Sequence, residues 1–394
     1  MLAKKMNFAL SLAFLISPSS YAKSVPFTVL GQLEEPDRNE QKEIQDLLEI
    51  LKETMLDDAQ TSNAETRKVL GHSNKMLRDA HPKSPGCVKA HFSIRSRDEL
   101  RELHLPKEFF SRGLLSEEHA GKSYEAVVRF SNAANKNGDD KDARGMAIKI
   151  LGIDGDKWEL PGSEQELGSP RNHYTPKSFH ESQDFVMIDN PTLPAPDLKA
   201  FKGLLLLVLG KNYSSITHLG ELIAALKFMG KPATNLLSLD FYSITPYAWF
   251  GVPMKFNAHP HLATERVASS NKDPNILRHM IERTLHHQDV IFDFRIQTRS
   301  PDEYGIKSVI ENASTLWDEQ DYPFKTIAKL TIPKGQTLSS EGLLRDCDDL
   351  SFNIWNSLAD YQPVGSINRA RRVLYKLLSD YRHTYNQHEG GKKL

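Results

Sequence analysis

Cysteine is scarce in this chain. Its 394 residues contain two, Cys87 and Cys347, too few for the disulfide framework of a small secreted scaffold. Cys87 also sits in a strand pattern, where an inert core thiol is the common outcome, so both are expected as unpaired core residues. An excess of charge of one sign is missing as well. The 50 basic residues nearly balance 51 acidic ones, for a formal net charge of -1, which removes the electrostatic basis for a nucleic-acid partner or broad attraction to an anionic membrane. Long apolar runs are lacking too. Met6 to Ile16 and Leu204 to Leu209 both fall short of the roughly 20 residues of a membrane helix. Phosphate-binding glycine loops, Gly-x-Ser-x-Gly, His-Glu-x-x-His and Cys-x-x-Cys are all absent. The histidine clusters His259-Pro260-His261 and His286-His287 lack the i, i+4 spacing that puts two imidazoles on one helical face, so they read as surface residues.

What is present begins with an export signal. Lys4 and Lys5 precede the apolar Met6 to Ile16 stretch, and Ser20-Tyr21-Ala22 offers small residues where a signal peptidase cuts, so residues 1–22 are expected to be removed and the product to be periplasmic or secreted. Residues 23–80 read as a helical arm, with Ile44, Leu47, Leu48, Leu51 and Met55 at helical spacing. Beyond it the period changes. Val88, Ala90, Phe92 and Ile94 alternate with polar residues, as do Met146, Ile148 and Ile150, and Phe292, Phe294 and Ile296; this is the pattern of half-buried strands. Val127 to Phe130, Phe241 to Tyr247 and Ile327 to Ile332 add three more candidates. Their spacing excludes a repeat protein and a doubly wound sheet, and favours an antiparallel barrel or sheet with inserted helices, an α+β fold. Leu160 to Phe179 reads as a loop, residues 198 to 229 as helices interrupted near Gly210, and Ser366 to Tyr385 as a final helix capped by Gly365-Ser366.

Two places could carry chemistry. Arg371 and Tyr375 are four apart on the final helix and share a face, to which Arg382 returns two turns later. A guanidinium against a phenol favours the phenolate, an anionic oxygen ligand for ferric iron. His81 precedes Pro82, which biases it to an extended backbone, and lies where the arm meets the first strand, so its ring can project into a barrel mouth as an acid/base.

In the order in which they occur, these residues resemble the haem catalases. Arg78-Asp79-Ala80-His81-Pro82-Lys83 is similar to the family's Arg-x-x-His-Ala-Lys. Val128-Arg129-Phe130-Ser131 looks like its Val-Arg-Phe-Ser strand, and Asp142-Ala143-Arg144-Gly145-Met146-Ala147-Ile148-Lys149 its Arg-Asp-Pro-Arg-Gly-Phe-Ala-Val-Lys. Pro196-Asp197-Leu198-Lys199-Ala200-Phe201 and the Arg371, Tyr375, Arg382 set complete the series. Thr245-Pro246-Tyr247 and Leu350-Ser351-Phe352-Asn353 read most like the small bacterial catalase-related peroxidases. The resemblance implies a catalase-like eight-stranded antiparallel β-barrel within residues 81–394, and haem b as cofactor. It makes Tyr375 the proximal iron ligand, Arg371 its charge partner, His81 the distal acid/base and Ser131 its orienting partner. Arg78, Arg129 and Arg382 would hold propionates, and Phe201 would pack on or near the distal face.

The family's distal Asn lies in Asn-Asn-Thr-Pro. Here Ile188-Asp189-Asn190-Pro191 stands in its place, with Asn190 the candidate and Asp189 a competitor for the position. Ala80 replaces a valine, opening space beside the imidazole; allene oxide synthases of this fold carry Thr there, so their chemistry is disfavoured. The implied activity is decomposition of hydrogen peroxide through a ferryl intermediate, with an unidentified electron donor in peroxidase turnover. A peroxidase of fatty-acid or other organic hydroperoxides and a non-catalytic haem-binding protein are the alternatives. The short apolar runs predict no transmembrane segment, and the resemblance admits a homo-oligomer.

Overall fold

The computed structural model describes residues 31–61, 76–134, 139–153, 155–158, 181–208, 219–268, 273–338, 347 and 350–390. The expected signal segment, the 160–179 loop and the Gly210 interruption lie outside these residues. Among the described residues there are ten strands and seven α-helices, in the order α1 (Glu40–Thr61), β1 (Gly86–Ile94), α2 (Arg97–Glu102), β2 (Ser123–Asn132), β3 (Arg144–Leu151), β4 (Ser182–Ile188), α3 (Leu198–Val208), α4 (Leu219–Met229), β5 (Phe241–Tyr242), β6 (Tyr247–Trp249), β7 (Val252–Pro260), α5 (Ile276–His287), β8 (Val290–Thr298), α6 (Ile306–Glu311), β9 (Lys325–Ile332), β10 (Tyr361–Pro363) and α7 (Ser366–Gly390).

All strand pairings are antiparallel. The order β7-β5-β4-β3-β2-β1-β9-β8 returns to β7 through the β7–β8 pairing, which closes an eight-stranded barrel; β6 and β10 extend from β7. Each of the eight has a neighbour on both sides, but β4 and β5 pair only at Ile188 and Tyr242, and further along that edge the Asp184 N–H donates to the Asn356 carbonyl instead. Inside, Phe92, Phe185, Phe256 and Phe294 meet at ring separations of 4.7 to 5.5 Å, so the barrel is filled by side chains. Each such buried ring contributes roughly 1.5–3 kcal/mol through its removal from water.

The final helix packs outside the barrel. Ile367, Ala370, Val373, Leu374 and Leu377 form its apolar stripe against Ile44, Leu47, Leu48 and Leu51 of α1 and Leu198 of α3. Arg369, 1% exposed, fixes its first turn through ion pairs to Glu34 (2.5 Å), Glu40 (2.7 Å) and Glu311 (2.9 Å). Desolvation raises the Glu40 carboxyl above its ordinary range despite Arg369. Gly365 precedes this turn at φ +90, and a Cβ there would lie 2.6 Å from the Ile310 carbonyl oxygen, so only glycine is accommodated.

Several expectations are corrected. Cys87 and Cys347 are joined by a disulfide, with Cα atoms 6.3 Å apart; both sit in a small buried cluster with Val127 and Leu350 that brings Cys347 and Leu350 onto β1 and β2. Phe241 to Tyr247 is two short strands, because Ile244 takes φ +66 just before Pro246. The arm is helical from Glu40 to Thr61 and non-helical over 76–80. Among the described residues no helix is long and apolar enough to cross a membrane. His259 bonds Asp240 and His261 pairs with Asp293, consistent with surface histidines.

Candidate active site

At the mouth of the barrel, β2 ends and β3 begins with Ser131 opposite Gly145. His81 enters this corner from the turn before β1. Its Nδ1 lies 2.9 Å from Ser131 Oγ, its backbone N–H donates to the Ala133 carbonyl at 2.9 Å, and its own carbonyl accepts a 2.9 Å bond from Arg129 Nη2. The expected extended backbone is not adopted. His81 takes φ +61, a left-handed conformation costing on the order of 1–3 kcal/mol, and these bonds to its main chain and ring hold it there. Gly145 makes room for the ring: a Cβ on it would lie 2.6 Å from Ser131 Oγ and 2.7 Å from His81 Nδ1 and Cε1.

Behind this corner stands a polar network that sequence reading missed. Buried Arg144 donates to the Asn132 side chain and to the Asp139 carbonyl (3.3 Å). Asp139 in turn accepts from Asn132 Nδ2 (3.0 Å), Lys83 Nζ (2.8 Å) and the Leu277 amide (3.0 Å). These bonds fasten the His81–Lys83 turn to β2 and β3. The clue was the charged, apparently solvent-like Lys83 and Asp139 flanking apolar strands, where mutual burial satisfies both charges.

The helix α7 supplies the other wall. Arg371 Nε and Nη2 donate to Tyr375 Oη at 3.0 and 2.7 Å, while Nη1 reaches Asn368 Oδ1 (3.3 Å) and Thr245 Oγ1 (3.4 Å). Burial works against the Arg371 charge, but Tyr375 and Tyr247 more than offset it and raise its pKa. Arg382 is buried two turns further along and contacts His383. Arg78 donates to the Leu350 carbonyl (2.5 Å) and the Cys347 carbonyl (3.4 Å), the latter belonging to the disulfide.

These two walls face one another. His81 is pushed down to about 3, first by desolvation and then by the charges of Arg129, Arg371 and Arg78, so its imidazole is neutral. His81, Arg371 and Tyr375 are only half-buried by surface area, although His81 and Arg371 are densely enclosed. Side chains with accessible surface deep in a protein line an internal space. That space has a neutral base on one side, an arginine-bound phenol on the other and positive charge at its edges, a donor set suited to an anionic planar cofactor.

Asp189 is buried; its carboxylate accepts from the Arg144 amide (2.8 Å), pairs with Lys231 (3.3 Å) and is raised in pKa by desolvation. It is therefore occupied in supporting the start of β3. Half-buried Asn190 leans on it, Nδ2 to Oδ1 at 3.4 Å. Phe201 lies on α3 against the apolar stripe of α7. Ala80 is exposed. Among the described residues no group of three His, Cys, Asp or Glu side chains could hold a metal ion.

No protein-family model and no curated protein matches the chain by sequence. Its fold, however, is similar to solved structures. A fungal catalase aligns over 92% of this chain and 67% of its own, with TM-score 0.54 and 13% identity. A bacterial catalase aligns over 92% and 65%, with TM-score 0.55 and 13% identity. Catalase A from Saccharomyces cerevisiae aligns over 92% and 70%, with TM-score 0.54 and 14% identity. The chain thus spans about two thirds of the length of each, and what this likeness establishes is its architecture: a closed eight-stranded antiparallel barrel with surrounding helices, as in catalases.

Proposed function

We propose that this chain is a haem-dependent hydroperoxidase that decomposes hydrogen peroxide, in the manner of the small catalase-related peroxidases. The observation that carries the reading is a serine-held His81 close enough to feel the charges of Arg129, Arg78 and Arg371, the last of which binds Tyr375 Oη. Tyr375 would ligate the iron; Arg78, Arg129 and Arg382 would neutralise the propionates, and Phe201 would pack near the porphyrin. Bound there, haem supplies redox equivalents that no side chain of this site has.

The chain's own residues do the rest. Ser131 accepts the Nδ1 proton of His81 and so leaves the Nε2 lone pair free to take a proton from one peroxide oxygen and return it to the other. The low pKa keeps that lone pair available throughout the physiological range. Arg371 holds a fixed positive charge against Tyr375 Oη, which keeps the phenol oxygen oriented as a ligand. Asn190 would orient the peroxide. A second reading, in which organic hydroperoxides are the substrates, is supported by Ala80 and by Asp189-Asn190-Pro191 in place of Asn-Asn-Thr-Pro, where the Asn190 amide leans on Asp189. The disulfide supports export to an oxidising compartment.

The test is spectroscopic. Purified protein supplied with haem should show a tyrosinate-ligated Soret band, and Tyr375→Phe should lose stable loading; a normal spectrum in that variant would refute the assignment. Oxygen release from hydrogen peroxide against consumption of a lipid hydroperoxide then separates the two substrate readings.

A further inference from the structure

The Cys87–Cys347 disulfide takes no part in the chemistry above, and both of its residues are fully buried. It helps to fix Cys347 and Leu350 against β1 and β2. The main-chain carbonyls of those same two residues are acceptors for Arg78, whose Nη2 donates to Leu350 at 2.5 Å and to Cys347 at 3.4 Å. Arg78 lies on a short non-helical stretch anchored at both ends. The Met76 N–H donates to Asn386 Oδ1 of α7 (2.7 Å), its carbonyl accepts from Asn386 Nδ2 (3.2 Å), and the His81 N–H donates to Ala133 just past β2 (2.9 Å). These bonds place the backbone, but a long arginine side chain keeps rotamer freedom that the main chain does not remove. The pair of carbonyls removes it.

Where Arg78 is held matters, because its charge acts on His81 together with those of Arg129 and Arg371. The rest of the segment that follows Leu350 has its own fastenings. Ser351 Oγ meets Ser379 Oγ of α7 at 2.7 Å, the Asn353 amide donates to Asp184 of β4 (2.8 Å), and Trp355 Nε1 donates to the Asn368 carbonyl (2.8 Å). From Ser351 onward the segment is therefore seated on α7 and β4 by bonds of its own. The part that depends on the disulfide is the part that receives Arg78.

We propose that the Cys87–Cys347 disulfide is a positioning element of the cofactor site: it fixes the carbonyls of Cys347 and Leu350, and these hold the Arg78 guanidinium where it recognises the carboxylates of an anionic porphyrin. This rests on the haem reading of the site. Arg78 and the disulfide then act as one unit, so removing either costs the same charge contact and removing both costs no more. The Tyr375 wall, carried on α7 with its own bonds to the segment beyond Ser351, is indifferent to the disulfide.

The experiment titrates the haem-free full chain with two probes, haem and haem dimethyl ester, which share ring and iron and differ in the two carboxylates. The wild type is expected to prefer the diacid. Arg78→Gln should cut that preference about fivefold, or about 1 kcal/mol. Cys87→Ala with Cys347→Ala should cut it equally, and all three changes together no further, with the tyrosinate-type Soret band kept throughout. Wild-type preference in the cysteine-free variant overturns the proposal. So does a loss shared equally by both probes, the result expected of a bridge that acts on fold stability alone. If the cysteine-free chain does not fold, Leu350→Ala, which loosens the same segment with the disulfide in place, should lower the preference; an unchanged preference there overturns the proposal in its turn. A wild type that binds neither probe sinks the haem reading and this proposal with it, whereas equal binding of both probes sinks this proposal alone.

Discussion

Arg371 and Tyr375 meet because one turn of helix places residues four apart side by side, whereas His81 and Ser131 meet across 50 residues of chain. The proximal wall is a local object carried on a rigid rod. The distal wall is assembled: a left-handed histidine, a serine at a strand end, a glycine that stays out of the way and a buried Arg144–Asp139–Lys83 network behind them. Chemistry that tolerates little positional error thus depends on long-range folding on one side only. Disturbances of the barrel should therefore register first at His81 and leave the Tyr375 pair intact.

That asymmetry can be tested by degrees. Replacing His81 with alanine should leave a normal Soret band and remove peroxide reactivity by about 10²–10⁴-fold in rapid mixing, the usual worth of a positioned acid/base; full activity would abolish the distinction between the walls. The next effect is on stability against pH. The folded-state pKa of His81, about 3, lies below its ordinary 6.5, so the unfolded chain binds the proton first. Its contribution is fully present above about pH 6.5 and is lost as pH falls toward 3, by at most about 1.4 kcal/mol per unit. Urea midpoints of His81→Gln should lack this part of the slope, and a slope identical to wild type would count against the neutral imidazole. Gly145→Ala should cost about 1–3 kcal/mol from overpacking and displace the imidazole while the cofactor spectrum stays tyrosinate-like. Smallest is Ser131→Ala, expected to cost about 1 kcal/mol for one lost hydrogen bond and to lower the peroxide rate without affecting haem retention.

Legibility followed the same division. Spacing alone put Arg371, Tyr375 and Arg382 on one face, and alternation found β1, β3 and β8 because one side of each is apolar. It overlooked β4, whose Ser182–Ile188 run is buried almost throughout. The outer side of that strand is covered: Asp184 pairs with Lys149 at 2.6 Å and accepts from the Asn353 amide, and Asn356 bonds Ser182. A strand covered on both sides loses its two-residue period. In β7, buried Lys255 and Asn257 broke the pattern for the same reason; desolvation lowers Lys255 to about 7. The backbone of His81 was misread because the rule for residues before proline is a local preference, overridden here by the tertiary bonds to Ala133 and Arg129. Residues far apart in sequence, such as Cys87 and Cys347, carry no local signal of their pairing.

That disulfide has a topological consequence. It closes a covalent ring that contains β1 through β9, with Cys87 six residues after His81 and Cys347 well before Tyr375. Both key side chains therefore hang on the two tails that leave the ring at a single knot. A protease cut within the ring would leave one covalent molecule, divisible only by a reductant. More importantly, the two tails stay tethered at one point even when the barrel loosens, so the search that brings His81 and Tyr375 back to the same space is short.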